Sequence, residues 1–289
     1  MQRKVEHILK SKPTLEGAGV KLKRVFGFRE VPMFDPFLLL DHFGSRNPED
    51  YIRGFPWHPH RGIETVTYML AGEVEHGDSI GNRGIIRSGD VQWMTAGSGI
   101  IHQEMPQRYD GLMEGFQLWV NLPSARKMMG PRYRGIESDK IPVLEKEGVK
   151  IKIIAGKVND VKGPVKDLAV DVEYLHVEIQ PETEFVHKTM TDARVFAYVV
   201  EGSGYFADEL IESRHCVLFG RGESVRIRSE DKLDFLLVSG KPINEPVAWG
   251  GPIVMNTQDE LEKAFRDLRE GTFIKDSRPV EPSTDFYRS

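Results

Sequence analysis

His58-Pro59-His60 and His102-Gln103-Glu104 put three imidazoles and a carboxylate into two short segments. Imidazole nitrogen and carboxylate oxygen together suit divalent transition metals and little else. Residues two apart on a β-strand face the same way, so each segment can aim two donors at one point if both are strands. Four protein donors leave one or two positions open on a five- or six-coordinate ion, which separates a reactive centre from a structural one. The residues alone admit Fe(II), Mn(II), Ni(II), Cu(II) and Zn(II), since affinity order by itself does not choose among them. A lone His-x-His is weak evidence, whereas two such pairs reinforce each other. Glu64 shares the strand parity of His58 and His60 and competes with Glu104 for the carboxylate role. His76 and Asp78 read first as a hydrogen-bonded structural pair and second as residues at the mouth of the site. Phe55, Trp57, Trp93 and Met94 flank the ligands. Core packing accounts for them, and a flat aromatic ligand would need the same side chains.

The elements that must carry these residues are strands. Ile63-Glu64-Thr65-Val66-Thr67-Tyr68-Met69-Leu70 is β-branched and aromatic and runs into Ala71-Gly72, a turn signal. Gly89-Asp90 opens Val91-Gln92-Trp93-Met94, and Thr95-Ala96-Gly97-Ser98-Gly99 predicts a tight turn before Ile100-Ile101-His102. Gly97-Ser98-Gly99 lacks the third glycine and the helix of a dinucleotide loop. Short strands between glycine and polar turns, such as Gly81-Asn82-Arg83-Gly84, give the first half the pattern of an all-β sandwich or barrel. Ser124-Ala125-Arg126-Lys127-Met128-Met129 predicts a short helix capped by Ser124. The predicted division is a metal-binding domain over 1–135, a linker over 136–148 and a second strand-rich domain over 149–289.

That second part contains a partial repeat. Arg194 to Gly202 superposes without gaps on Glu64 to Gly72, and Gly222-Glu223 then falls on Gly89-Asp90. In this register His58 and His60 fall on Lys188 and Met190, a cation and a soft, weak ligand that suit the site poorly. His187 is one position off, and a slip of one residue turns a strand side chain to the other face. A duplicated fold without its metal is expected. Near the C-terminus, Thr257 and Glu260 form a capping box, and Leu261, Ala264, Phe265 and Leu268 mark one helical face that Gly271 ends. The tail from Asp276 to Ser289, with Pro279 and Pro282, predicts an irregular arm.

These motifs resemble the cupin superfamily and, more narrowly, the pirin family. The resemblance lies in Phe55-Pro56-Trp57-His58-Pro59-His60-Arg61-Gly62-Ile63-Glu64, Gly89-Asp90-Val91-Gln92-Trp93-Met94-Thr95-Ala96-Gly97 and Ile101-His102-Gln103-Glu104-Met105-Pro106. Gln117-Leu118-Trp119-Val120-Asn121-Leu122-Pro123 and Gly251-Pro252-Ile253-Val254-Met255-Asn256-Thr257 extend it over nearly the whole chain. It implies an all-β bicupin with short helices: two antiparallel, jelly-roll-type β-barrels face to face, with iron in the N-terminal one. The implied ligands are His58, His60, His102 and Glu104, with Glu64 as a supporting hydrogen-bond partner. The implied activity is that of a quercetin 2,3-dioxygenase. A flavonol-like aromatic binds through its 3-oxygen, a glutamate (here Glu104) accepts the hydroxyl proton, and dioxygen opens the central ring with loss of carbon monoxide. The resemblance also implies an alternative, a redox-sensitive regulatory protein or transcription cofactor that works through protein partners.

Composition bounds these expectations. The chain has 289 residues, enough for one large domain or two ordinary ones, and 39% are hydrophobic, enough for a core. Thirty-nine basic against 44 acidic residues give a net charge of -5, which speaks against direct nucleic-acid binding. The single cysteine, Cys216, precludes an intramolecular disulfide and, followed by Val217-Leu218-Phe219, predicts a buried thiol. No apolar stretch follows Met1-Gln2-Arg3-Lys4, and none approaches the roughly 18 residues that span a bilayer. A soluble, cytoplasmic protein without membrane contact is expected.

Overall fold

Alternating burial shows how the strands arise. Along Ile100–Pro106 every second side chain, Ile100, His102, Glu104 and Pro106, is buried, and Ser224–Ser229 alternates in the same way. Ile63–Ala71, central in its sheet, is buried on both faces over most of its length. The computed structural model describes residues 1–275, so the arm expected over 276–289 lies outside the described residues. The described residues form strands, four short 3-10 turns and one α-helix, Gln258–Arg269, which is not long and apolar enough to cross a membrane.

The chain divides into two compact units. One comprises Pro13–Pro32, Phe37–Ser138 and the residues from Ile243 on. Its larger sheet has seven antiparallel strands in the order Arg132–Ile136, Val91–Thr95, Ile63–Ala71, Met113–Asn121, Phe37–Ser45, Val20–Phe26 and Lys12–Glu16. Its smaller sheet has four, in the order Phe55–His60, Ile100–Pro106, Glu73–Asp78 and Arg83–Arg87. Val20, Leu22, Phe43, Met69 and Met113 from the first sheet pack on Val74 and Ile86 from the second.

The other unit comprises Met1–Lys12, Met33–Pro36 and Asp139–Pro242. It repeats the plan, with a seven-stranded sheet in the order Val5–Lys10, His215–Phe219, Arg194–Glu201, Leu233–Gly240, Val172–Ile179, Val149–Ala155 and Val143–Lys146. The four-stranded partner runs Thr183–Lys188, Ser224–Ser229, Ser203–Phe206 and Glu209–Glu212. Arg194–Glu201 and Ile63–Ala71 hold the same place in their sheets. Each ends at a glycine with positive φ, Gly202 at 83° and Gly72 at 97°, where a side chain would be strained. Cys216 lies buried in this unit, and burial pushes its thiol pKa upward.

Three expectations change. Both chain ends depart from the predicted division. Val5–Lys10 pairs with His215–Phe219 in the second unit, and 243–275 joins the first. The reason is long-range: the open edge of the second unit's sheet is covered by the N-terminal strand. The apolar face of the C-terminal helix packs on Ile253, Met255 and Phe273. Next, the helix expected over 124–129 is a 3-10 turn at Ser124–Arg126. Ser124 does not cap it, because the Ser124 hydroxyl and amide donate to Glu245, at 3.0 and 2.6 Å. Lastly, in the repeat His187 is buried whereas Lys188 and Met190 are exposed. The ungapped superposition is thus off by an odd number of residues on this strand, and His187 takes the inward position. It meets Glu173 at 2.7 Å and stacks on Phe185 among apolar neighbours.

The expected C-terminal helix is present with its capping box. Thr257 Oγ1 accepts from the Glu260 amide at 3.2 Å, and the Thr257 amide donates to Glu260 at 3.0 Å.

Candidate metal centre

His58 and His102 stand directly opposite each other on paired strands, and His60 lies two residues along the first. Parity and register bring the three rings together. Centroids are 4.4 Å apart for His58–His102, 4.8 Å for His58–His60 and 5.0 Å for His60–His102. One nitrogen from each lies within 4.8 Å of the others, the sole such His, Cys, Asp or Glu group of three or more among the described residues.

Two of the rings are oriented from behind. His58 Nδ1 lies 2.9 Å from the Pro56 carbonyl, and His60 Nδ1 lies 3.0 Å from that of Pro252. A carbonyl only accepts, so each Nδ1 carries the proton and each Nε2 keeps a lone pair. Those two Nε2 atoms are 3.1 Å apart. Both nitrogens of His102 are buried without a hydrogen-bond partner. Burial, then the charge of His58, pushes the His60 pKa down to about 3. Burial, then His60 and His58, pushes His102 well below the ordinary value. Three converging imidazoles, of which His60 and His102 resist protonation and His102 is otherwise unpartnered, fit a divalent cation.

Glu104 faces the same side as His102 and is nearly buried. Its Oε1 lies 2.7 Å from the Thr67 hydroxyl, and Gln117 Nε2 donates to Oε2 over 3.4 Å. Thr67 is also 2.6 Å from Gln117 Oε1, so one hydroxyl proton lies between two acceptors. Glu64 is more heavily engaged. Its Oε2 accepts from Trp93 Nε1 at 3.0 Å, and its Oε1 accepts from Thr95 at 2.5 Å and Arg134 at 3.1 Å. Glu104 lines the cavity beside the histidines and Glu64 does not. Neither carboxylate belongs to the converged group, which contains the three histidines alone. His76 and Asp78 form a buried pair at 3.3 Å. The His76 ring lies 5.5 Å from that of His102 and stacks on Tyr133 at 4.8 Å.

The cavity has a volume of about 730 Å³ and lies within the unit that contains Phe37–Ser138. Phe28, Phe55, Trp119 and Trp249 give it aromatic walls next to His58, His60 and Glu104. Trp119 stands edge-on to His60 at 5.1 Å and lies 5.7 Å from Trp249, which meets Phe28 at 5.6 Å. Of the four flanking residues picked out in the sequence, only Phe55 lines the cavity. Trp93 and Met94 are fully buried, and Trp57 is 51% exposed. Trp119 was legible in principle, because Gln117 and Trp119 alternate on one strand and share a face. Trp249 had no local signal.

The segment after Ile243 also holds the histidine motif in place. Arg61 is buried and donates to Ser98 O at 2.7 Å, Asp267 at 2.8 Å and Phe273 O at 2.8 Å, with its guanidinium 4.2 Å above the Phe273 ring. Lys127 Nζ donates to Gly62 O, Asn121 and Val254 O at 2.7 to 2.9 Å. Gly62 has φ 79°, and a Cβ there would come within 1.9 Å of Val254 O.

Residues 19–120 match the pirin family and residues 174–274 the pirin C-terminal cupin domain. The chain is 45% identical over 273 residues to a pirin-like protein of Caulobacter vibrioides, covering 94% of this chain and 99% of that one. It resembles the crystal structure of a quercetin 2,3-dioxygenase from Acinetobacter baumannii with a TM-score of 0.88 and 33% identity, over 94% of this chain and 99% of that one. A bacterial pirin from Escherichia coli in complex with nickel(II) shares the fold, with a TM-score of 0.64 at 21% identity, over 82% and 98%. With two cupin domains and these similarities along its length, the chain belongs to the pirin family.

Proposed function

We propose that this protein is a metal-dependent dioxygenase of flavonol-like aromatics, with the ion held by His58, His60, His102 and Glu104. The observation that carries this reading is the convergence of three histidines, two of which, His58 and His60, line a large aromatic cavity that Glu104 also faces. Likeness to a quercetin 2,3-dioxygenase supports the substrate class. The resemblance favours Fe(II), and the donor set also suits Mn, Ni, Cu or Zn.

Bound there, the ion would act as a Lewis acid and a meeting point for substrate oxygen and dioxygen. The rest falls to the chain. Trp119, Trp249 and Phe28 offer ring faces and edges to a planar ligand. Pro56 and Pro252 carbonyls keep His58 and His60 in one tautomer and one orientation. Thr67 holds one oxygen of Glu104 at 2.7 Å, while the other has only the 3.4 Å contact with Gln117. In this reading that second oxygen takes the proton of the substrate hydroxyl.

The test is oxygen-dependent loss of quercetin absorbance by protein loaded anaerobically with Fe(II). Turnover is expected, and the His58→Ala/His60→Ala double variant should show none. Equal rates in the two would place the reaction elsewhere. Absence of turnover with Fe, Mn, Ni and Cu would turn the assignment to regulation through a protein partner.

A further inference from the structure

One wall of the cavity is polar, and only the half of it nearest Glu104 has a part in the chemistry above. Thr67, Gln117, Asp41 and Arg24 stand opposite one another in register on four adjacent strands. They line the cavity as one row. Thr67 and Gln117 hold Glu104 at one end. At the other end Arg24 grips Asp41 through two parallel bonds, Nε to Oδ1 at 2.9 Å and Nη2 to Oδ2 at 2.8 Å, and its Nη1 reaches Glu16 at 2.8 Å. With strands about 4.8 Å apart, Asp41 lies about 10 Å along the row from Thr67. Apolar side chains flank the row, Trp119 and Leu39 on one side and Leu22 and Phe43 on the other.

An ion pair in such a wall calls for a reason, since apolar residues of similar volume would line it without the cost of removing two charges from water. Burial pushes the Asp41 carboxyl up to about 6 despite the opposing Arg24, with Glu16 adding to the rise. Arg24 gives each Asp41 oxygen one hydrogen bond, so each has a second lone-pair direction left over. The charges lining the cavity decide what donor fits. Glu16, Asp41 and Glu104 face a single guanidinium, Arg24. A divalent ion at the histidines balances this wall without leaving a positive excess, so a ligand bearing a carboxylate gains nothing from it. A neutral ligand that donates hydrogen bonds does gain.

We propose that the Arg24–Asp41 pair is a recognition subsite for the hydroxyl groups on the distal ring of a neutral polyhydroxylated aromatic. Asp41 accepts the hydroxyl hydrogen, and Arg24 holds Asp41 in position. The proposal rests on the flavonol-like reading of the cavity and adds to it a preference among flavonols.

Binding without turnover tests it. Protein loaded with Zn(II), which does no redox chemistry, is titrated without oxygen while quenching of tryptophan fluorescence is followed. The two ligands are quercetin and the flavonol that carries only the 3-hydroxyl. Wild type should prefer quercetin by about tenfold, the scale of one hydrogen bond to a charged group. In Arg24→Leu/Asp41→Leu the preference should vanish while the affinity for the unsubstituted flavonol stays. Should the double variant fail to fold, Asp41→Asn should weaken quercetin binding severalfold and leave the other ligand unaffected. A preference that survives in the folded variants overturns the subsite and leaves the flavonol reading standing. Absence of binding of either ligand to wild type overturns both.

Discussion

Glu104 and Glu64 share inward strand parity, and what separates them is the work their oxygens already do. Glu64 is fastened by Trp93, Thr95 and Arg134, whereas Glu104 has Thr67 and a long contact to Gln117. Glu104→Ala should therefore lose most of the bound metal with little loss of stability. Glu64→Ala should keep the metal and cost about 2–3 kcal/mol, because it strands buried donors. Metal analysis beside urea denaturation checks this, and the reverse pattern would exchange the two assignments. His60 makes an acid-side prediction for metal-stripped protein. Its folded pKa of about 3 lies below the ordinary 6.5, so the unfolded chain binds the proton first. The stability it contributes is present above pH 6.5 and is lost as pH falls toward 3, at up to about 1.4 kcal/mol per pH unit. Denaturation midpoints at pH 7 and 5 should fall further apart in wild type than in His60→Leu.

The strand Phe55–His60 carries two of the proposed ligands, yet it is held from far along the chain. Pro252 O orients His60, Lys127 ties Gly62 O to Val254 O, and Arg61 ties the motif to Asp267 and Phe273. The strand pair Ala248–Gly250 and Ile253–Met255, with the helix after it, thus serves as the outer brace of the centre. Arg61→Met should cost about 3 kcal/mol by leaving Asp267 buried beside fewer cations. It should also weaken metal binding, read by competition with a chelator, although Arg61 is not a ligand. A loss of stability with unchanged metal affinity would show that the brace has no hold on His60. Gly62→Ala should be worse tolerated than most core substitutions, because positive φ and the Val254 carbonyl both exclude a Cβ.

At the scale of the whole molecule, two units share one strand order except at one edge of the larger sheet, and they differ in what the inward positions carry. Where the first has His58, His60 and His102 converging beside a cavity, the second has His187 paired with Glu173 against an apolar core. One metal equivalent per chain is expected. His187→Ala should leave that figure unchanged and cost about 1–2 kcal/mol from the unpaired Glu173. Two equivalents, or metal lost with His187, would overturn the assignment of a single centre.

Strand alternation, turns and caps are local, and the sequence by itself determined what depends on them. The β-rich duplicated architecture, the convergence of His58, His60 and His102, and the capped helix at Gln258–Arg269 all follow from spacing of two, glycine turns and the Thr257–Glu260 box. Tertiary structure decided what depends on partners remote in the chain. Parity leaves Glu64 and Glu104 equivalent until Trp93, Thr95 and Arg134 close around one of them. An ungapped repeat cannot show that the strand ending at Lys188 turns His187 inward, since a slip of one residue exchanges the faces. Nor can periodicity show that Trp249 and Pro252 return to the histidines, or that the first strand leaves for the second unit. Those pairings are selected by buried area and hydrogen bonds between segments with no common local pattern, and they exist only once the chain has closed on itself.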